Sequence, residues 1–261
     1  GKMRMEQITK VIPQIKRSVL TYDEYLKQKV DSYNSLSGNL TGYDCKKCLN
    51  RGYFMKIING DESMVACDCM KKREALVRLK NSGLAGSIKE KTFSSFEANQ
   101  SFQQHIKSEA VKFVKSYKGK WFFIGGQNGC GKTHICTAIA GQLLKFGESV
   151  RYLLWEDDSP VLKAKVNDPE YKTLILGYQT VDVLYIDDLF KTNATEADIR
   201  LAFQILDYRD RNSLCTIISS ERMIDEIYKI NPAIGGRITE MAMKINIPKD
   251  INKDYRLKRK E

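Results

Sequence analysis

The sequence predicts an α/β fold, a mostly parallel sheet covered by helices on both faces, behind a small cysteine-bearing front region. Three observations carry this. From about residue 120 onward, short apolar runs alternate with stretches of helical periodicity, the grammar of a buried parallel sheet. The stretch GQNGCGKT over Gly126–Thr133 lies between one such run and a helical segment. About 55 residues further on, another apolar run ends in paired carboxylates, Asp187 and Asp188.

Thr21 followed by Glu24 is a capping-box pattern that opens a helix through about Leu36, before Ser37-Gly38. Residues 38–69 are punctuated by Gly and Cys, with strand-like pieces at Tyr53–Ile58 and Met64–Ala66 around the turn Asn59-Gly60. A basic helix is expected from about Met70 to Asn81, ended by Gly83. Phe102, Ile106, Ala110, Phe113, Val114 and Tyr117 recur at helical spacing before Gly119. Then come a strand at Trp121–Ile124, a helix from Lys132 to about Phe146 and a second strand at Val150–Trp155. Short helices are expected at Pro160–Val166 and Pro169–Leu176, a third strand at Val181–Ile186 and a long helix at Thr195–Arg211. Leu214–Ser219 is a fourth strand and Lys244–Ile247 a fifth. The domain boundary is drawn near residue 92, giving 1–92 and 93–261.

The net charge of +11 favours a polyanion among the partners, but it is unevenly spread. Residues 1–91 carry net +8, residues 92–248 are neutral, and residues 249–261 carry +3. No apolar run approaches the roughly 18 residues a membrane helix needs, and no charged-then-apolar leader opens the chain. Neither a membrane protein nor a secreted one is expected.

Gly126–Thr133 fits G-x-x-x-x-G-K-[ST], with the strand before and the helix after that the motif requires. Gly126, Gly129 and Gly131 let backbone N–H groups, with those of Asn128, Cys130 and His134, turn toward the phosphates of ATP. Lys132 is expected to reach the β- and γ-phosphates, and Thr133 to ligate Mg²⁺. Cys130 offers either a reactive thiol or a small filler. Ligands of open α/β sheets bind at the carboxyl ends of strands. Asp187 is therefore placed to hold Mg²⁺, and Asp188 to orient or activate the attacking water, although paired carboxylates also cap helices.

Here the residues resemble a family. GCGKTHICTAIA over Gly129–Ala140, GESVRY over Gly147–Tyr152 and ILDYR over Ile205–Arg209 leading into Thr216–Ser220 are similar to the AAA+ ATPases of the DnaC/DnaI helicase-loader and IstB group. The lead-in Lys91–Phe96 is similar too. The resemblance covers about residues 91–248 and points to a phage or mobile-element variant. It implies an AAA+ core, with Ser220 or Glu221 at the place of a γ-phosphate sensor; Glu221 departs from the usual Asn or Asp, and the choice stays open. It implies an arginine finger at Arg237, in the stretch GGRI, with Arg222 as the alternative, and hence self-association. Only 24 residues follow Arg237, which implies the short form without a C-terminal helical lid. The partners implied are a DnaB-type hexameric replicative helicase and single-stranded DNA, in the cytoplasm. The alternative is an IstB-like ATPase helping a transposase.

Cys45-x₂-Cys48 and Cys67-x-Cys69 flank an eighteen-residue hairpin-like segment. Two close pairs can bring four thiolates to one tetrahedral Zn²⁺, and Gly52 suits the turn of a zinc knuckle. A reducing cytosol disfavours disulfides between them. Some loaders of the DnaI kind carry a zinc-bearing, helicase-binding front domain, which the resemblance carries over to residues 1–92. Four thiolates on one zinc ion carry net −2, so the front charge falls nearer +6 with metal bound. Cys136 and Cys215 read as core, and His105 has no catalytic role assigned. The basic tail (Lys253, Arg256, Lys258, Arg259, Lys260) is the candidate phosphate contact to DNA.

Overall fold

The computed structural model describes residues 20–250, and the chain divides into two compact units, Gly1–Glu74 and Ala75–Glu261. The basic tail lies outside the described residues. In the first unit, α1 (Tyr22–Ser35) starts at the expected capping box: the Thr21 hydroxyl accepts from the Glu24 N–H, and the Glu24 carboxylate accepts from the Thr21 N–H at 2.8 Å. β1 (Tyr53–Ile58) and β2 (Asp61–Ala66) pair antiparallel around Asn59-Gly60. Both turn residues have positive φ, +54° and +87°, the backbone of a type I′ hairpin. Asn34 of α1 ties the helix to β1 by bonding the Met55 N–H and C=O at 3.0 and 2.9 Å. The buried cluster of this unit is the four cysteines, with Tyr43 and Phe54 packed against them.

α2 (Cys69–Asn81) contains the division between the units, at Glu74/Ala75, whereas charge and composition put the boundary near 92. The reason is packing. Leu84 and Phe96 are buried in the core of the second unit, Ile88 and Phe93 lie against it, and the Tyr152 N–H donates to the Ser82 carbonyl at 2.8 Å.

The second unit holds α3 (Ser101–Lys115), β3 (Trp121–Gly126), α4 (Lys132–Lys145), β4 (Val150–Leu154), α5 (Trp155–Ala164), α6 (Tyr171–Thr180), β5 (Val183–Asp187), α7 (Glu196–Arg211), β6 (Cys215–Ser220), α8 (Ile224–Ile230), α9 (Pro232–Met241) and β7 (Ala242–Ile247). Its five strands are all parallel, in the order β4-β5-β6-β3-β7. β3 lies between β6 and β7, is wholly buried, and its alternation separates two cores. Phe122 and Ile124 join α3 and α4 on one face; Trp121 and Phe123 join α5 to α9 on the other.

Three elements depart from the sequence expectation. α5 begins at Trp155, directly after β4, rather than at Pro160. Glu156, Asp157 and Asp158 occupy its first turn, where acidic groups favour the positive end of the helix, and Asp158 accepts from the Leu154 N–H at 2.8 Å. α8 and α9 were not anticipated. α9 has its signal in Asn231-Pro232, since the Asn231 carboxamide caps the Ile234 N–H at 3.0 Å and proline suits the first turn. α8 has only seven residues, too few for a periodic pattern to stand out.

Candidate functional site

The carboxyl ends of β3, β5 and β6 come together because the three strands are hydrogen-bonded neighbours in parallel register, with Gly125 opposite Ser220. Glycine is required where the loop leaves β3. Gly126 has φ +118°, and a Cβ there would lie 2.0 Å from the Ile247 carbonyl oxygen of β7. Gly131 caps α4 at φ +89°, aiming the N-terminus of that helix at the loop.

The loop borders a cavity of about 350 Å³. Asn128, Gly129, Gly131, Lys132, Thr133 and His134 form one wall, and Asp188 and Lys191 another. Lys91, Ser95, Phe96 and Glu97 supply the lead-in side. The Lys132 ammonium is buried and donates to the carbonyls of Gly126 and Gln127 at 2.8 and 2.6 Å, which holds it within the loop. Cys130 is fully buried with its thiol 3.0 Å from the Gln127 carbonyl, the geometry of a filler rather than an accessible nucleophile. The His134 ring meets the Thr92 carbonyl at 2.9 Å and stands edge-on to Phe96, tying the lead-in segment to the phosphate loop.

Asp187 is buried and accepts from three hydroxyls: Ser219, Thr133 at 3.3 Å and Tyr152 at 2.9 Å. Burial first, and then the Asp187 charge, push the Tyr152 phenol well above its ordinary value, so it stays a donor. Asp188 turns out of the strand at φ +58° and reaches the cavity, with its N–H on the Ser219 hydroxyl at 3.0 Å. Lys191 pairs with Asp188 at 3.0 Å and with Glu221 at 3.2 Å. Chiefly through its hydrogen bond with Asp188, the Lys191 ammonium is held above its ordinary pKa. Ser220 is fully buried and donates to the Leu189 carbonyl at 2.6 Å, so its hydroxyl is committed to the backbone.

Arg222 donates to the carbonyls of Phe190 and Thr192. Arg237, on α9, pairs with Asp207 at 2.5 Å and Asp210 at 3.3 Å of α7 and lies over the Phe203 ring. Ser220, Glu221 and Arg237 do not line the cavity. Sequence reasoning passed over Tyr152, Ser219 and Lys191. Lys191 stands three residues after Asp188, a spacing that invites pairing. Tyr152 and Ser219 lie in stretches that carry the family resemblance, but their shared role at Asp187 is set only by the fold.

In the first unit, the four cysteine sulfurs lie within 4.8 Å of one another, with Cys45–Cys67 at 3.8 Å and Cys48–Cys69 at 3.6 Å. Tetrahedral zinc with Zn–S near 2.3 Å asks for sulfur separations of about 3.8 Å. All four are buried and none is in a disulfide, so the donor set fits Zn²⁺. Left-handed backbone at Leu49, Asn50 and Gly52 folds the knuckle, and the Gly52 N–H points at the Cys48 sulfur at 3.2 Å. Burial opposes ionisation of Cys48, but this N–H and the neighbouring thiols outweigh it and bring the thiol down to about 6.

An open parallel sheet with this loop, this buried carboxylate and this strand order defines an AAA+-type ATP-binding fold. The chain belongs to the IstB-like ATP-binding protein family, which matches residues 67–261. It is similar to the phage-like element PBSX protein XkdC of Bacillus subtilis (strain 168), 30% identical over 76% of this chain and 79% of that one. It is also similar to the replicative helicase loader DnaC of Escherichia coli (strain K12), 24% identical over 57% of this chain and 61% of that one. Among solved structures, DnaI superposes with TM-score 0.56 at 24% identity, covering 62% of this chain and 93% of its own. The DnaC helicase loader does so with TM-score 0.56 at 20% identity, covering 61% and 98%. These two likenesses bear on the fold. Among the described residues, no helix is long and apolar enough to cross a membrane.

Proposed function

We propose that this chain is a cytoplasmic, ATP-driven loader that grips a DnaB-type replicative helicase through residues 1–92 and delivers it onto single-stranded DNA. The observation that carries this reading is the pairing of an intact ATP site with a separate four-thiol unit, in a chain similar to a replicative helicase loader. In the ATPase unit, Lys132 neutralises the β- and γ-phosphates while the loop N–H groups orient them. Thr133 and Asp187 would hold Mg²⁺, which screens phosphate charge. Asp188 takes a proton from the attacking water as its oxygen bonds to the γ-phosphorus and the bond to the bridging oxygen of ADP breaks. Arg237 serves a neighbouring copy, exchanging Asp207 and Asp210 for that copy's γ-phosphate. Zn²⁺ on Cys45, Cys48, Cys67 and Cys69 would replace the apolar core that so small a unit cannot build.

The test is capture of a DnaB-type helicase by the full chain and by Cys45→Ser. The wild type should hold one zinc per chain and retain the helicase; the variant should lose both and still bind ATP. Capture of a transposase with no helicase would replace this reading by the IstB-like one. A wild type without zinc would end the metal assignment.

A further inference from the structure

The end of β6 presents a problem of charge. The resemblance puts a γ-phosphate sensor there, a carboxylate would repel that phosphate, and the residue that follows the strand is Glu221. Ser220 cannot substitute, because its hydroxyl is buried on the Leu189 carbonyl. Lys191 resolves the conflict. Its side chain is 40% exposed and borders the cavity, whereas its partners Asp188 and Glu221 are 19% and 23% exposed. One ammonium stands between two carboxylates, so the triad carries net −1 and has its single cation nearest the open side. The two contacts are not equivalent. Lys191 makes a hydrogen bond to Asp188 at 3.0 Å, but its 3.2 Å approach to the buried Glu221 Oε1 is an ion pair without an aligned hydrogen bond.

Resting on the ATP-site reading above, we propose that Lys191 reads the γ-phosphate in this chain, with Glu221 as its anchor rather than as the sensor itself. When the terminal phosphate enters, the ammonium exchanges the Asp188 carboxylate for a γ-phosphate oxygen and keeps its pairing with Glu221. Asp188 is released toward the attacking water by the same exchange. With ADP there is no γ-oxygen to compete, and Lys191 stays on Asp188. The lysine therefore couples recognition of ATP to the availability of the catalytic carboxylate. Phosphate oxygens recruit such a cation through charge-assisted hydrogen bonds.

The experiment compares the affinities of the full chain for ADP and for a non-hydrolysable ATP analogue, with Mg²⁺, in wild type, Lys191→Met, Lys191→Arg and Glu221→Gln. Lys191→Met should leave ADP affinity unchanged and weaken the analogue by about tenfold. Lys191→Arg should restore most of the difference, and Glu221→Gln should weaken the analogue by less than Lys191→Met does. Equal weakening of both nucleotides by Lys191→Met, or none of either, would overturn the assignment. A wild type that binds neither nucleotide would instead overturn the ATP-site reading.

Discussion

Two adjacent carboxylates at the end of β5 have opposite environments, and their chemistry follows from that difference. Asp187 continues the strand, is buried and accepts from three hydroxyl donors, which fix its orientation and leave one of its roughly four lone-pair sites for a metal-facing contact. Asp188 breaks from the strand into left-handed backbone at φ +58°, a conformation that Asp and Asn tolerate better than most residues. That turn directs its side chain away from the sheet and toward the cavity. Asp188→Asn keeps the backbone preference and removes the base. It should still bind ATP and hydrolyse it about a hundredfold more slowly or worse, as measured by single-turnover phosphate release. Undiminished hydrolysis would take Asp188 out of the mechanism.

The helices and strands that carry these residues are pinned by polar groups at their ends. Arg209 of α7 is fully buried and forms no ion pair among the described residues; it donates to the carbonyls of Tyr178, Val181 and Cys215 and to the Thr216 hydroxyl. Burial lowers its pKa to about 10, which still leaves it charged at pH 7. The stretch ending in Arg209, one of those carrying the family resemblance, thus ties α7 to α6, to the segment before β5 and to β6 rather than touching the cavity. At the other end of α7, Asp198 forms a capping box with Thr195 and pairs with Lys163 at 2.5 Å. Burial opposes the Asp198 charge, but Lys163 and Thr195 outweigh it and hold its pKa below the ordinary 3.8. A carboxylate depressed in the folded state stabilises above its unfolded value and loses that contribution as pH falls through the folded one. Asp198→Ala should cost about 1–2 kcal/mol at pH 7 by denaturant unfolding, and the gap from wild type should close below pH 3.8. A gap that persists in acid would make the loss one of packing rather than of charge.

For the whole molecule, the issue is how one chain's ATP site is completed. Arg237 lies off its own cavity, held by two aspartates of α7, so a catalytic role requires a second copy. A mixture of Arg237→Ala and Lys132→Ala chains forms some interfaces with an intact loop on one side and an intact arginine on the other. The mixture should hydrolyse ATP faster than either variant alone, as a steady-state assay across mixing ratios will measure. A mixture no better than the average of its parts would place the action of Arg237 within its own chain. The uneven charge adds a second whole-molecule feature, because the neutral ATPase stretch leaves the surplus to the front region and the tail.

Local rules sufficed for much of this protein. The cap at Thr21, the Asn59-Gly60 hairpin, the G-x-x-x-x-G-K-T loop and the cysteine spacing each act over a few residues, and a linear reading finds them. The apolar strands were legible for the same reason: burial on both faces leaves no polar alternation to confuse them. What escaped depends on neighbours distant in sequence. The Ser219 and Tyr152 hydroxyls meet Asp187 only because β4, β5 and β6 align in parallel, and Lys191 meets Glu221 only because the loop after β5 folds beside the end of β6. The packing division at Glu74/Ala75 escaped because Leu84 and Phe96 find their core beyond residue 100. The sequence by itself determined the chemistry available, a phosphate loop, two carboxylates and four thiols, because those signals are covalently local. Which carboxylate is locked, which serine is spent on the backbone and which lysine stands between two acids were decided by tertiary structure alone, since only packing sets distances between residues far apart in the chain.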